Sequence, residues 1–189
     1  MKRITIVLTI PQPLLSKLNS ELKMLHKKYG TKCKSSGPND EEYYDIPHIT
    51  LFSMGECYEN KEKIEAKIRE IAKNFQPIKI KSKELTLFEF EEQCHLVVTI
   101  EKNKELQELH NKIINEVLPL SVKKGIFVLE KYTPHSSKIL YLPRELGKKA
   151  KQDAKIKEFE FTANEIGIKV RQEDTYCIIE KTYKLGENK

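Results

Sequence analysis

The chain has 189 residues, of which 39% are hydrophobic and 33% charged, with a net charge of +6 and a pI near 9.0. That length suffices for one ordinary domain or two fused lobes around a real core, and the mixture excludes a disordered or fibrous chain. The basic balance suits a polyanionic partner such as nucleic acid, although the lysines are spread along the chain and serve solubility equally well.

The first apolar run, Ile4 to Ile10, follows Met1-Lys2-Arg3 and imitates the start of a signal peptide. It is short, Pro11 and Pro13 end it, and no small-residue cleavage site follows, so it reads as a buried first strand. No run approaches the roughly 20 apolar residues of a membrane-spanning helix. Leu14, Leu15, Leu18, Leu22 and Leu25 repeat at helical spacing and predict an amphipathic helix over 14–28. The polar segment Gly30 to Tyr44 reads as a loop. Ile46 to Met54 is a strand. Asn60 to Phe75 is a helix capped by Asn60, with Ile64, Ile68 and Ile71 on its inner face. Ile78, Ile80, Leu85 and Leu87 mark an extended stretch, and Cys94 to Ile100 another strand. Lys79, Lys81 and Lys83 alternate there and read as the solvated side of an edge strand.

The second half restates this order. A helix over 103–117 turns Leu106, Leu109, Ile113 and Ile114 inward, with Asn103 as its cap. Ile126 to Leu129 and Ile139 to Leu142 read as strands, Pro143 to Ala154 as a short basic helix, and Phe159 to Ile168 and Tyr176 to Ile179 as the last strands. A shift of 81 residues lays Ile78/Ile80 on Phe159/Phe161, Glu84-Leu85-Thr86-Leu87 on Glu165-Ile166-Gly167-Ile168, and Leu96-Val97-Val98 on Cys177-Ile178-Ile179. We therefore expect one bilobal domain over 1–189, with halves near 1–100 and 101–189. Cys33, Cys57, Cys94 and Cys177 are scattered without a C-x-x-C pair, which reads as reduced thiols in a cytoplasmic protein rather than a metal site.

Two short motifs carry chemistry. Pro47-His48-Ile49-Thr50 and Pro134-His135-Ser136-Ser137 both read P-H-x-[T/S], and none of the other three histidines has this company. On a strand, residues i and i+2 share a face, so each motif sets a proton carrier beside a hydroxyl donor. Two such pairs facing one another supply an acid, a base and two donors around one anion, which is what cleavage of a phosphodiester requires without a metal. No third ligand stands at metal spacing to either histidine, so zinc is not expected. His26 and His110 sit in helices among polar residues and read as surface, and His95 as packed or half exposed.

These motifs, one in each similar half, resemble the 2H phosphoesterase superfamily, and in particular its branch of RNA 2′,3′-cyclic phosphodiesterases, also called 2′-5′ RNA ligases. Pro47-His48-Ile49-Thr50-Leu51 matches the family form closely. The second motif departs from it, with Ser136 and Lys138 at positions that are usually apolar and Ser137 for threonine. The resemblance implies an α+β fold: two lobes related by a pseudo-twofold, antiparallel sheets lining a central cleft, helices outside. It implies a metal- and cofactor-independent phosphodiesterase, with His48 as the acid on the leaving oxygen, His135 as the base that activates water, and Thr50 and Ser137 as ligands of the phosphate. The substrate it implies is an RNA end bearing a 2′,3′-cyclic phosphate, or a related cyclic or 2′-5′ linked nucleotide; a monomer is expected. Two other readings stay open: 2′-5′ ligation of RNA, and a non-catalytic RNA- or nucleotide-binding module on the same fold. Tyr43, Tyr44 and Tyr132 precede the motifs and offer rings for base stacking, or else pack in the core. Lys148 and Lys149, in the basic run from Lys148 to Lys157, offer contacts to an RNA backbone, or else a solvated helix face.

Overall fold

The computed structural model describes residues 3–31, 46–56, 58–120, 132–172 and 176–187. The expected loop around Ser35, the short strand at Ile126–Leu129, Cys33, Cys57 and Tyr44 lie outside the described residues. In chain order the elements are β1 (Arg3–Thr9), α1 (Leu14–Tyr29), β2 (His48–Glu56), α2 (Lys61–Asn74), β3 (Ile78–Glu89), β4 (Gln93–Ile100), α3 (Lys104–Val117), β5 (His135–Pro143), α4 (Gly147–Asp153), β6 (Glu160–Ala163), β7 (Glu165–Gln172) and β8 (Tyr176–Lys184). Among the described residues no helix is long and apolar enough to cross a membrane.

The strands form two antiparallel four-stranded sheets, ordered β2-β1-β7-β8 and β5-β4-β3-β6. Place by place the two orders correspond, and this is the pseudo-twofold. The unit β1-α1-β2 repeats as β4-α3-β5, while β3 and β7 each cross into the sheet begun by the other half. Strand alternation explains which faces are packed. Ile4, Ile6 and Leu8 of β1, and Leu96, Val98 and Ile100 of β4, point to the helices and join the main core. Val7 and Val97, on the opposite faces, are fully buried but stand outside that core, on the cleft side.

The helices cover the outer faces, and the first of each half leans across the molecule. α1 packs on β5 and α4, and α3 packs on β2 and α2. Gly30 ends α1 with φ 62°, a left-handed conformation that glycine adopts without a Cβ clash. Asn103 caps α3 as its sequence position suggests, its side-chain oxygen accepting from the Leu106 N–H at 2.8 Å. Asn60 does not cap α2. Its amide instead donates to the Leu120 carbonyl at 2.8 Å and ties α2 to the end of α3.

The 81-residue register holds in part. β3 and β7 occupy the third place of their sheets, so Glu84–Leu87 and Glu165–Ile168 are true counterparts. β4 and β8 are not: β4 corresponds to β1, and β8 is an outer strand. Ile80 and Phe161 are neighbours across the β3–β6 ladder rather than equivalents. Alternating apolar residues look alike in any strand, which is why an ungapped match ran past the real repeat. Lys79 and Lys81 are solvated, paired with Glu160 at 2.7 Å and Glu101 at 3.0 Å, but β3 is an interior strand, not an edge.

Candidate active site

His48 and His135 open their strands in matching registers. His48 lies opposite Thr9 of β1, and His135 opposite Thr99 of β4. Two residues on, Thr50 faces Val7 and Ser137 faces Val97. Immediately after each hydroxyl the ladder slips by one residue, leaving Leu51 and Lys138 as bulges. The four motif side chains are half-buried, while the residues between them, Ile49 and Ser136, point into the protein. β2 and β5 adjoin where the two sheets meet. There His48 and Ser137 line one small cavity with Pro47, Leu22, His26 and Ile139.

Both imidazoles are held alike. His48 Nδ1 donates to the Ile46 carbonyl at 2.6 Å, and His135 Nδ1 to the Thr133 carbonyl at 2.9 Å. A carbonyl only accepts, so Nδ1 carries the hydrogen in each ring, and Nε2 is the nitrogen turned the other way. The surroundings of Nε2 differ. Lys169 of β7, itself buried, sets its Nζ 3.4 Å from His48 Nε2. The equivalent place on β3 holds Phe88, whose ring meets His135 edge-on with centroids 4.9 Å apart. Burial pushes the His135 pKa below its ordinary value, against the opposing effect of the Thr133 carbonyl.

Behind the motifs stand buried polar groups. His110 of α3 bonds through Nδ1 to the carbonyl of the bulged Leu51 at 2.7 Å. Its ring stacks on Tyr132, centroids 3.7 Å apart, and the Tyr132 hydroxyl donates to the Thr50 carbonyl at 3.1 Å. Burial pushes the Tyr132 phenol up, so the hydroxyl remains a donor. On the other side the bulged Lys138 is 2% exposed and pairs with Glu21 of α1, which also accepts from the backbone N–H groups of Lys155 and Ile156. The second motif thus replaces an apolar bulge by a buried ion pair.

Several expected roles change. His110 is buried, and so is His26, which bonds Thr31 through Nδ1; neither is a surface residue. Their polar sequence neighbours face water, while His110 bonds the Leu51 carbonyl beneath α3 and His26 bonds Thr31 just past the end of α1. Tyr132 is buried against His110 and supports the Thr50 strand from behind. Lys148 and Lys149 are exposed on α4, which packs Ala150 and Gly147 on the outer side of β3 and β4, across the sheet from His135. Phe88 and Lys169 escaped the sequence reading, although the 81-residue register lays one on the other, one residue past the segment it matched. Among the described residues no three His, Cys, Asp or Glu side chains gather to hold a metal ion.

Twin strands that each begin with histidine, place a hydroxyl two residues on, and meet where two like sheets adjoin define the 2H phosphoesterase fold. A family model described as the 2′-5′ RNA ligase superfamily matches residues 6–175, and the chain belongs to that superfamily. No curated protein matches the sequence. Among solved structures, TT0787 of Thermus thermophilus shares the fold with a TM-score of 0.67 at 14% identity, over 97% of this chain and 98% of that one. A phosphoesterase structure follows with a TM-score of 0.53 at 13% identity, covering 98% and 99% of the two chains. LigT of E. coli, solved with 3′-AMP, gives 0.52 at 13% identity, over 97% and 98%.

Proposed function

We propose that this protein is a metal-independent phosphodiesterase that opens 2′,3′-cyclic phosphate ends of RNA or a related nucleotide. The observation that carries the reading is the matched setting of His48 and His135: same strand position, same register, same Nδ1 bond to the carbonyl two residues back. Two imidazoles whose Nδ1–H is held by a carbonyl work through Nε2, which serves as a base when bare and as an acid when protonated, one on each side of one phosphorus. The solved LigT complex with 3′-AMP is consistent with a nucleotide substrate.

His135, kept neutral by burial, takes a proton from water. The oxygen so activated attacks phosphorus in line with the ribose 3′ oxygen, and the bond to that oxygen breaks. His48, which must enter the step as the imidazolium with Nδ1–H on the Ile46 carbonyl, gives the departing oxygen its Nε2 proton and is left neutral. Thr50 and Ser137 donate to the non-bridging oxygens, where negative charge grows, and the Lys169 ammonium adds positive charge beside His48. A second reading, 2′-5′ ligation, is the same displacement with a ribose hydroxyl in place of water.

The test is turnover of a nucleoside 2′,3′-cyclic phosphate. His48→Ala and His135→Ala should each lose about 10²–10⁴-fold while the circular dichroism spectrum stays that of the parent. Activity should persist in EDTA. A His48→Ala protein close to parental turnover sinks the reading, and loss in EDTA with recovery on added zinc or manganese replaces it with a metal mechanism.

A further inference from the structure

Aromatic rings run outward from His135 along the cleft face of its sheet. Phe88 meets the His135 ring edge-on. Opposite Phe88 in the β3–β4 ladder stands His95. The His95 ring lies against both Phe90 and Tyr141, with centroids 4.8 Å and 5.1 Å away. Alternation puts Phe88 on the same face of β3 as His95, Val97 and Thr99 on β4, with His135 and Ser137 beside them on β5, and Phe90, just past the end of β3, brings its ring to His95.

This row ends in water. Phe90 is 53% exposed and Tyr141 39%, two of the four exposed large hydrophobic residues among those described. Tyr141 also adopts φ 55°, a conformation disfavoured for any residue with a Cβ. It sits where β5 loses register with β4, between the pairs Leu96–Ile139 and Cys94–Leu142. The irregularity sets the Tyr141 ring against His95 without burying it. Core packing explains neither the exposure nor the backbone, and such outliers gather at ligand sites.

We propose that Phe90, His95 and Tyr141 form a nucleobase subsite, which seats the base of the nucleotide whose phosphate lies between His48 and His135. The assignment rests on the phosphodiesterase reading. Continuity favours this occupant: Phe88 joins the row to His135, so a ligand held at the histidines reaches the exposed rings at once. Charge favours it too. Glu89, Glu91 and Glu92 are exposed on either side of Phe90 in the chain, with Glu89 paired to Arg144 at 2.6 Å. This acidic rim repels a continuing phosphate backbone and tolerates an uncharged flat ring, which stacks on aromatic side chains whatever its identity.

The chain has no tryptophan, so Phe90→Trp introduces a single indole reporter. Adenosine 2′-monophosphate should quench its emission saturably, whereas inorganic phosphate and ribose 5-phosphate should not, although both displace the nucleotide. By calorimetry, Phe90→Ala and Tyr141→Ala should bind the nucleotide about tenfold more weakly or worse, with inorganic phosphate affinity unmoved. Phe90 is exposed, so its truncation spares the fold even if that of Tyr141 does not. A silent indole, with parental nucleotide binding in Phe90→Ala while phosphate still competes and cyclic nucleotide is still turned over, overturns the subsite alone. If phosphate does not compete and the parent turns over no cyclic nucleotide, the phosphodiesterase reading fails and the subsite falls with it.

Discussion

The two candidate catalytic histidines are distinguished by what β3 and β7 set against them. Phe88 shuts water from His135, and Lys169 brings a cation to His48. A base must be unprotonated to act, so activity should rise as pH climbs through the His135 pKa, which burial has lowered. Phe88→Ala admits water, lets that pKa return toward its ordinary value, and should move the rising limb of the pH–rate profile to higher pH. A limb that stays in place separates Phe88 from the titration. Ser137 carries no proton that titrates in this range. Ser137→Ala should lower turnover by about 10²–10³-fold with both limbs unmoved, and Ser137→Thr should be nearly neutral because the O–H is kept. With His48 protonating the 3′ oxygen, the product should be a 2′-phosphate by phosphorus NMR; a 3′-phosphate contradicts that assignment. His48, Thr50, His135 and Ser137 were legible because a histidine and a hydroxyl at i, i+2 leave a mark in the sequence. Phe88 and Lys169 carry no motif of their own; only the 81-residue register links them, and their contacts come from strands remote in the chain.

At the level of elements, α1 is fixed to the second sheet by one buried ion pair. Glu21 accepts from Lys138 and from two backbone N–H groups just after α4, so it joins α1, β5 and the chain leaving α4. Removing it strands a buried ammonium and orphans two donors. Glu21→Ala should therefore lose about 3–5 kcal/mol in urea unfolding, the range for breaking a buried pair by deleting one partner. Lys138→Met should cost less, because Glu21 retains both backbone donors and the new side chain resembles the apolar Leu51 at the equivalent bulge. Equal losses would show that the backbone contacts contribute little. The helices and most strands were legible from spacing, as in Leu14 to Leu25 and Ile64 to Ile71. The partner of Lys138 was not, because Glu21 reads as one more polar residue on an amphipathic helix until the fold turns it inward. His26 and His110 misled for the same reason: a helix with polar neighbours still has one face that packs, and a buried carbonyl rewards an imidazole there.

Across the whole molecule four histidines carry the same sign. Burial lowers the pKa of His26, His95, His110 and His135, in each case as the leading cause. Below about pH 6.5 the unfolded chain binds protons at these sites that the folded protein resists. Stability should thus be fully present above that pH and decline as it falls toward the lowered values, which thermal unfolding at pH 7.5 and 5.5 will show; a midpoint that is unchanged or higher at pH 5.5 contradicts it. The sequence made two halves legible but not their exchange of strands, because alternation marks a strand without saying which sheet receives it. That exchange bears on biosynthesis. β7, at Glu165–Gln172, is an interior strand of the sheet that β1 and β2 begin, so on the ribosome those two wait as a bare ribbon until β7 has emerged. The sheet that ends in β6 closes before it. His48 then meets Lys169 only after β7 has been made, and a nascent chain stopped before β7 should present the His135 sheet without a completed partner.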